Sequence, residues 1–424
     1  MMYALVAGIF IIGYLAIIFE QKLHLNKAAS ALLTGILCWT VLAIFRNDAH
    51  GINESLVAHL GEISNILFFL LAAMTIVELI DSHDGFEFIT AQIKTNSLRK
   101  LSWIIGLLTF FLSAILDNLT TTIVMISLLR KIITDKKTRL LFVGLIIIAA
   151  NAGGAWSPLG DVSTTMLWIG GQITPVKTIA SLLVPSLICL FVPLTVLHFR
   201  FGKLKLSRLE AANGSSALVG ERNLILFTGI GVLLFVPVFK TITHLPPYMG
   251  MLLGLGIMWI VTTFIHFTKK ERDKDMLSVS YAMRKVDTPS ILFFLGILLA
   301  VAALQETGQL QQSANWLNNN VKSDVAVVSV VGLFSSVVDN VPLVAGLQGM
   351  YGLEQYPTDH FFWQFLAYCA GTGGSALIIG SAAGVAAMGM EKISFFWYVK
   401  NISWLAIIGY AAGAAVYLLQ KTLI

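Results

Sequence analysis

The sequence predicts an all-α, polytopic membrane protein. Of its 424 residues, 57% are apolar and only 12% are charged, about half the charged fraction of soluble globular chains. Apolar runs of about 18 residues or more, long enough to span a bilayer as helices, recur along the whole chain. A membrane β-barrel would instead show short strands of alternating hydropathy. The mean hydropathy is +0.81, and no large soluble domain fits between the runs.

The net charge of +5 and the three cysteines further limit the functions and binding sites that the sequence predicts. Lys and Arg fall in short loops, where they orient membrane helices, so the basic balance does not indicate nucleic-acid binding. Cys38, Cys189 and Cys369 lie far apart inside apolar runs and predict neither a zinc site nor a disulfide. Residues 1–19 lack a basic n-region and a small-residue cleavage site, so we expect a retained first helix rather than a signal peptide.

Two of the twelve apolar segments are too long to be simple crossings. Segment 101–129, taken as one helix, would measure about 44 Å against a hydrocarbon core of about 30 Å, and segment 325–352 is similar. Each carries an Asp-Asn pair near its middle, in ILDN and in VVDN. Each is therefore either one long tilted helix or a re-entrant hairpin with the pair at its tip. The other ten segments are 1–19, 27–45, 63–80, 138–169, 178–199, 223–240, 247–267, 289–305, 360–390 and 396–419.

The charges of the flanking loops favour two hairpins. Basic residues flank 101–129 on both sides, and both groups are cytoplasmic only if this segment enters and leaves the membrane on one side. The acidic residues Asp324, Glu354 and Asp359 flank 325–352, which should enter and leave on the outside. Ten crossings then remain, most of the 28 Lys and Arg residues are internal, and both termini are outside.

The two halves of the chain resemble each other. ILFFL, ILDN and NAGGAWSPLGD in the first half are matched by ILFFL, VVDN and GTGGSALIIGS roughly 220 residues later, in the same order. Each half then holds five crossings, a hairpin and a broken helix. Because five is odd, the second copy is inverted in the membrane, an arrangement typical of secondary transporters with a midplane site. We expect a first repeat over 1–200 (hairpin 101–129, broken helix 138–169), a cytoplasmic linker over 201–222, and a second repeat over 223–424 (hairpin 325–352, broken helix 360–390).

The stretch NAGGAWSPLGD should unwind its helix. Its glycines weaken a helix, and Pro158 removes a backbone donor and clashes with the preceding turn. Freed carbonyls and nearby side chains supply hard oxygen ligands, which suit Na⁺ or Li⁺ and not a soft metal. A kinked helix with small residues for close packing would explain the glycines, but it would not explain Asp161. The repeats differ here, since Asp161 is matched by Ser381 and Asn151 by Gly371.

Three aspartates are predicted to lie in the membrane, Asp117 and Asp339 at the hairpin tips and Asp161 at a helix break. A carboxylate at the bilayer centre costs about 2.5–3.5 kcal/mol on the insertion scale, which makes it a functional candidate, although an aspartate can also cap a helix. Apart from Arg139, at the very start of the first broken helix, no Lys or Arg lies within the hairpins or broken helices, so a cationic substrate is favoured. One buried carboxylate site that takes either Na⁺ or H⁺ is sufficient for antiport.

Three motifs resemble those of the NhaD-type sodium/proton antiporters. They are ILDNLTTTIVM at 115–125, NAGGAWSPLGDVSTTMLW at 151–168 and SSVVDNVPLVA at 335–345, and the resemblance covers essentially the whole chain. These antiporters belong to an ion transporter superfamily that also holds arsenite pumps and sodium/dicarboxylate carriers. The resemblance implies export of Na⁺ or Li⁺ in exchange for H⁺ across the cell inner membrane, without a bound cofactor. It also implies a homodimer in the lipid, with a transport domain beside a scaffold.

The resemblance implies a set of site residues as well. A first half-site would comprise Asp117, Asn118, Thr120, Asn151, Ser157, Asp161 and Thr164, completed by Asp339, Asn340, Thr372 and Ser375. Of these, Asp117, Asn118, Asn151, Asp161 and Asp339 would hold Na⁺. Histidines take part in the pH response of some family members, and His83 is the nearest candidate, but we expect a solvated loop histidine. Glu78 is either a proton-access group or, as we favour, a side chain that snorkels to the interface.

Two other functions compete with antiport. An oxyanion (arsenite) or dicarboxylate transporter of the same superfamily is the main alternative, and it predicts that replacing the three aspartates by asparagine leaves transport largely intact. An intramembrane aspartyl protease would need glycine where this chain has Pro158, and it would not need duplicated halves. We therefore do not expect an enzyme.

Overall fold

The computed structural model describes residues 2–46, 48–86, 95, 97–201, 219–267, 277–321 and 323–423. As predicted, the regular structure in these ranges is helical, and they contain no strand. Residues 202–218 of the predicted linker lie outside the described residues. The helices are α1 (Met2–Ile18), α2 (Glu20–Leu23), α3 (Lys27–Arg46), α4 (Ala49–Ser82), α5 (Leu98–Leu116), α6 (Asn118–Ile132), α7 (Lys136–Ala155), α8 (Val162–Ile169), α9 (Pro175–Phe201), α10 (Val219–Thr243), α11 (Pro247–His266), α12 (Val279–Lys285), α13 (Thr288–Glu306), α14 (Gln309–Asn320), α15 (Asp324–Phe334), α16 (Asn340–Met350), α17 (Phe361–Gly373), α18 (Ala382–Glu391), α19 (Phe395–Tyr398) and α20 (Trp404–Leu423), the last two joined by a π-helical stretch, Val399–Ser403.

Nine helical units in the described part of the chain are long and apolar enough to cross a membrane. They are α3, α4, α5, α7, α9, α10, α11, α13 and the continuous α19–α20 unit. The protein is thus a multi-pass membrane protein, as predicted. The most enclosed of these units is α7, with 89% of its most apolar stretch buried inside the protein. Asn151 lies near the end of α7, so it is placed deep in the interior.

Helix α4 is longer than the segment 63–80 predicted from hydropathy. It runs over 34 residues and begins after Asp48, whose carboxylate accepts a hydrogen bond from the Gly51 N–H at 3.0 Å. At 1.5 Å per residue it is about 50 Å long, so it extends well beyond a hydrocarbon core of about 30 Å. The polar residues before position 63 end the apolar run, but they do not end the helix.

Each segment that carries a polar motif is interrupted at that motif. In the first predicted hairpin, α5 and α6 meet at Asp117. In the second, α15 and α16 are separated by residues 335–339. The two predicted broken helices are interrupted over 156–161, between α7 and α8, and over 374–381, between α17 and α18. A single long helix is therefore excluded for both segments that carry an Asp-Asn pair.

Helix contacts recur in pairs that are roughly 220 residues apart. In the first half α1 packs on α3, and in the second half α10 packs on α11. The contact of α3 with α13 corresponds to that of α11 with α4. The contact of α5 with α7 corresponds to that of α15 with α17. α6 contacts α18, and α16 contacts α8. The second part of each broken helix therefore packs against the hairpin segment of the other half. This exchange brings the four helices that begin at polar motifs to one place in the protein.

Glycine is required where the interrupted helices approach each other most closely. A Cβ atom on Gly153 would collide with the carbonyl oxygen of Phe110, which lies on α5. A Cβ atom on Gly373 would collide in the same way with the carbonyl oxygen of Gly332, which lies on α15. The close packing expected from small residues is thus present at both breaks, and it positions the polar side chains described next.

Candidate functional site

Asp161 lies in the interior of the protein and is 2% exposed. Its Oδ1 accepts a hydrogen bond from Asn118 Nδ2 at 3.2 Å, and its Oδ2 accepts one from Asn340 Nδ2 at 2.7 Å. Ser163 Oγ also donates to Oδ2, at 2.6 Å. Asn118 and Asn340 directly follow the tip aspartates of the two predicted hairpins. One carboxylate therefore joins both halves of the chain.

Asn151 extends this network toward the second broken helix. Its Oδ1 accepts a hydrogen bond from Asn118 Nδ2 at 3.1 Å. Its Nδ2 donates to Ser375 Oγ and to Ser381 Oγ, both at 2.9 Å. We refer to the connected residues as the central polar cluster. Its members, all buried, are Asn118, Asn151, Asp161, Ser163, Asn340, Ser375 and Ser381.

Four helix N-termini converge on the central polar cluster. α6 begins at Asn118, α8 follows Asp161, α16 begins at Asn340 and α18 follows Ser381. A helix N-terminus carries a partial positive charge and stabilises a nearby carboxylate. Together with the three hydrogen bonds to Asp161, these N-termini offset the cost of burying its negative charge in a cluster that contains no basic side chain.

Asp117 and Asp339 cap the helices that follow them. Asp117 Oδ1 accepts a hydrogen bond from the Thr120 N–H at 2.9 Å, and its Oδ2 accepts one from the Thr120 hydroxyl at 2.8 Å. Asp339 Oδ1 accepts a hydrogen bond from the Val341 N–H at 3.3 Å. The backbone of Asp117 has a φ of +79°, a value that costs energy in any residue except glycine. The capping role considered from the sequence is thus present at both tips.

The two tip aspartates line a cavity beside the central polar cluster. The cavity measures about 60 Å³, which is room for a few water molecules. Asp117, Asn118 and Asp339 line it together with apolar side chains of α4 and with Lys27, the first residue of α3. Because Asn118 belongs to both the cavity wall and the cluster, the cavity lies directly beside the cluster.

The structure brings some of the predicted Na⁺ ligands together and separates others. Asn118, Asn151 and Asp161 are linked by hydrogen bonds, whereas Asp117 and Asp339 lie at the cavity. Within the described ranges, no three side chains of His, Cys, Asp or Glu are grouped closely enough to hold a metal ion. A cation bound in the cluster would therefore be held by one carboxylate and by amide and hydroxyl oxygens.

Three predicted hydroxyl ligands are not part of the cluster's hydrogen-bond network. Ser157 Oγ donates to the carbonyl oxygen of Ala114 at 2.6 Å. Thr372 Oγ1 donates at 2.6 Å to a carbonyl oxygen of its own helix. Thr164 Oγ1 is buried and has no hydrogen-bond partner among the described residues. Of the three, Thr164 has the hydroxyl oxygen that is best able to bind an ion.

Two residues of the site were not predicted. Ser381 is the counterpart of Asp161 in the second half, so its position carried a signal, whereas Ser163 was expected among the oxygen ligands around the helix break. Nothing in the sequence indicated that Lys27 contacts the site, because a lysine at the start of an apolar segment is typical of a loop charge that sets the topology. Its contact with the site depends on how distant helices pack.

Two titratable residues near the end of α4 lie apart from the cluster. His83 is 3% exposed, so the expectation of a solvated loop histidine is wrong. The chain folds back at the end of α4, where the Gly85 N–H donates to Ile80 O at 2.8 Å, and the His83 ring lies against this helix end with Nδ1 2.7 Å from Leu79 O. Glu78 forms an ion pair with Lys285 Nζ at 2.9 Å, which holds its carboxylate beside α12.

Comparison with known proteins places the chain in a family. Residues 14–363 match the family model CitMHS, described as Citrate transporter. The chain is 49% identical over 415 residues to "Sodium/proton antiporter 1" of Arabidopsis thaliana, covering 97% of this chain and 71% of that protein. It is 46% identical over 417 residues to "Sodium/proton antiporter 2" of the same plant, covering 97% and 98%. It is also 31% identical over 447 residues to "Na(+)/H(+) antiporter NhaD" of Alkalimonas amylolytica, covering 97% and 89%.

These matches run nearly from end to end of the chain, and the range matched by the family model, 14–363, spans the positions of the three motifs. The family model covers more than half of the chain, and relatives at 31% identity or more match nearly its whole length. The chain belongs to the citrate transporter (CitMHS) family and, within it, to the NhaD-type sodium/proton antiporters.

Proposed function

We propose that the protein is a secondary antiporter that exports Na⁺ across its membrane in exchange for H⁺. The observation that carries this proposal is Asp161, a buried carboxylate that accepts hydrogen bonds from Asn118 and Asn340, one in each half of the chain. A cavity with two acidic side chains at its wall lies beside the cluster that contains Asp161, and Asn118 belongs to both. Relatives named sodium/proton antiporters match 97% of the chain, which supports the same function here.

Exchange follows from competition for the Asp161 oxygens. The ionised carboxylate is a ligand for a small, hard cation, and the amide and hydroxyl oxygens of the cluster complete a hard-oxygen environment. The protonated carboxyl group carries no charge, so it no longer attracts the cation. H⁺ and Na⁺ therefore exclude each other, and one carboxylate couples the two fluxes. Asn118, Asn151 and Asn340 orient this group, while Asp117 and Asp339 line the approach to it.

Mirrored contacts support the proposal that the halves are inverted repeats, each with five crossings, a hairpin and a broken helix. Ser113 Oγ donates to Ala150 O at 2.6 Å in the first half, and Ser335 Oγ donates to Ala370 O at 3.1 Å in the second. A Cβ atom would collide with a carbonyl oxygen of the neighbouring helix at Gly153 in the first half and at Gly373 in the second. An ion site where two such repeats meet is typical of secondary transporters.

Further features of the proposal rest on loop charges and on the resemblance. We place the protein in the cell inner membrane with both termini outside, because this leaves most Lys and Arg residues on the cytoplasmic side. The protein would act as a homodimer through its scaffold helices, without a bound cofactor and without enzymatic activity. Li⁺ would share the Na⁺ site, since both are hard monovalent cations.

An oxyanion or dicarboxylate carrier is the competing function, and the description of the family model as Citrate transporter favours it. Four converging helix N-termini would also suit an anion. Three of these N-termini, however, are already capped by Asp117, Asp339 and Ser381. An anion in the cluster would also meet the negative charge of Asp161. The geometry therefore supports a cation better.

Everted membrane vesicles that contain the protein test the proposed exchange. After energisation has acidified the lumen, adding Na⁺ or Li⁺ should raise the luminal pH reported by a dye, and K⁺ should raise it less. Asp161→Asn removes the charge at nearly constant volume and should abolish the response. Asp48→Asn is the matched control, because Asp48 is an exposed helix cap and asparagine caps equally well.

Two results would contradict the proposal. The first is that none of the three cations dissipates the proton gradient in vesicles that contain folded protein. The second is that Asp161→Asn exchanges Na⁺ as fast as the unaltered protein. Uptake of radiolabelled citrate or arsenite by the same vesicles, retained in Asp161→Asn, would instead establish the anion carrier.

A further inference from the structure

A lysine lies opposite the tip of the second predicted hairpin. Lys27 Nζ is 4.0 Å from Asp339 Oδ2 and 4.9 Å from the centre of the Phe293 ring. The Lys27 and Asp339 side chains are 26% and 20% exposed, so neither charge is fully hydrated. A separation of 4.0 Å exceeds the usual range of about 2.7–3.2 Å for an N–H···O hydrogen bond. The pair is thus an electrostatic contact that a competing cation can open without breaking a direct hydrogen bond.

Lys27 and Asp339 belong to different groups of helices. Lys27 begins α3, which packs on α1 and α13. Asp339 caps α16, and the next residue, Asn340, binds Asp161. Both side chains line the cavity that Asp117 also lines, and Lys27 is the one basic residue among the described residues of its wall. The ammonium group therefore occupies the position at which a cation in the cavity would meet Asp339.

We infer that Lys27 is a tethered cation that competes with Na⁺ for Asp339. The inference rests on the proposed Na⁺/H⁺ exchange and adds to it a residue that sets the apparent Na⁺ affinity. Because the ammonium is attached to the chain, its effective concentration at Asp339 is high, and an entering Na⁺ has to displace it. When Na⁺ leaves, the ammonium returns and the carboxylate is not left unpaired. Lys27 thereby weakens Na⁺ binding and favours Na⁺ release.

Replacing Lys27 separates this role from a structural one. In the vesicle assay, Lys27→Gln should lower the KM for Na⁺ about two- to fivefold, the range that a partly exposed ion pair is worth, without raising kcat. Lys27→Arg keeps the charge and should restore a KM near that of the unaltered protein. Lys285→Gln is the matched control, because it removes one positive charge from the pair with Glu78, away from the cavity. A residue that only stabilises the fold would change the maximal rate or the amount of protein, but it would not lower KM.

A measurement on the unaltered protein tests the same displacement without a variant. Purified protein is treated briefly with an amine-acetylating reagent, and modification of Lys27 is quantified by mass spectrometry. Na⁺ should increase the modification of Lys27, compared with N-methylglucamine at equal ionic strength, and should leave that of Lys285 unchanged. Modification of Lys27 that is insensitive to Na⁺ would overturn the inference, and so would an unchanged or raised KM in folded Lys27→Gln.

The two proposals fail in different ways. If the unaltered protein exchanges no Na⁺ for H⁺, the proposed function fails, and the inference about Lys27 falls with it. If exchange is present but the KM of Lys27→Gln equals that of Lys285→Gln, the antiporter assignment stands. In that case only the role of Lys27 as a competing cation is wrong.

Discussion

One buried carboxylate ties the end of the second broken helix to the first half of the protein. Glu391 is the last residue of α18, and its side chain is 2% exposed. Its Oε1 accepts a hydrogen bond from Arg130 Nε at 2.6 Å, and its Oε2 accepts one from Arg139 Nε at 3.0 Å. Arg130 also donates to the carbonyl oxygen of Met390. Because Arg130 is on α6 and Arg139 is on α7, removing this carboxylate should loosen three helices at once.

The burial of Arg130 and Arg139 determines how much stability the protein loses when Glu391 is replaced. Breaking a buried ion pair by removing one partner costs about 3–5 kcal/mol, because a charge is left without a counterion. Here the Arg130 side chain is 45% exposed and that of Arg139 is 18% exposed, so water takes over part of the lost interaction. We therefore expect Glu391→Ala to lower the free energy of unfolding by about 2–3 kcal/mol.

Denaturant unfolding of the purified protein in detergent measures this change. Glu354→Ala is the matched control, because Glu354 is exposed and its replacement should change stability by less than about 0.5 kcal/mol. A double-mutant cycle of Glu391→Ala with Arg139→Ala should show a coupling energy of about 1–3 kcal/mol. Equal stability of Glu391→Ala and Glu354→Ala, or additivity of the two changes in the cycle, would show that Glu391 does not hold the three helices together.

The pH dependence gives an independent check on Glu391. Burial alone would raise its pKa, but the hydrogen bonds and charges of Arg130 and Arg139 outweigh burial and hold the pKa below the ordinary value of 4.5. A pKa that is lower in the folded state stabilises the fold above the unfolded value and loses this contribution as pH falls through the folded value. The stability difference between the unaltered protein and Glu391→Gln should be constant from pH 7 to about pH 5 and should shrink below pH 4.5. A difference that stays the same down to pH 3 would contradict this account.

Two further predictions concern single side chains near the helix breaks. Gly153→Ala should destabilise the protein by about 1–3 kcal/mol in the same unfolding assay, because the new methyl group collides with the carbonyl oxygen of Phe110. Gly8→Ala, which meets no atom within 4 Å, should not destabilise it, and equal effects at both positions would refute the packing argument. Thr164→Val removes a buried hydroxyl that has no partner among the described residues, so stability should be unchanged or higher. If this hydroxyl is an ion ligand, the KM for Na⁺ should rise, and an unchanged KM would remove Thr164 from the site.

The helix breaks could be predicted because their causes are local. Pro158 disturbs its own turn, and Asp117 caps the helix that starts directly after it, so neither effect depends on distant parts of the chain. The length of α4 and the burial of His83 depend instead on what packs around them. Hydropathy therefore gave a segment that was too short for α4 and an environment that was too polar for His83.

The contacts of the site were predictable only in part. Asn118 and Asn151 come from the same half as Asp161, and the motifs already grouped them. Asn340 comes from the other half, and it was expected at the site because the repeat and the resemblance bring the two hairpin tips together. The contact of Lys27 with Asp339 had no such basis, since a lysine beside an apolar segment indicates topology and not a partner.

The difference between the two copies explains why the central polar cluster contains a single carboxylate. Under the proposed repeat, the contact of Asn151 with Ser381 corresponds to that of Gly371 with Asp161. Asn151 Nδ2 donates to Ser381 Oγ at 2.9 Å, and a Cβ atom on Gly371 would lie 3.5 Å from Asp161 Oδ2. In the first contact the large side chain, Asn151, lies before one helix break, and the small residue, Ser381, ends the other break. In the second contact the small residue, Gly371, lies before a break, and the large side chain, Asp161, ends the other break. Aspartate at both positions would bury two like charges in one cluster, whereas one carboxylate among neutral amides matches one singly charged ion, Na⁺ or H⁺.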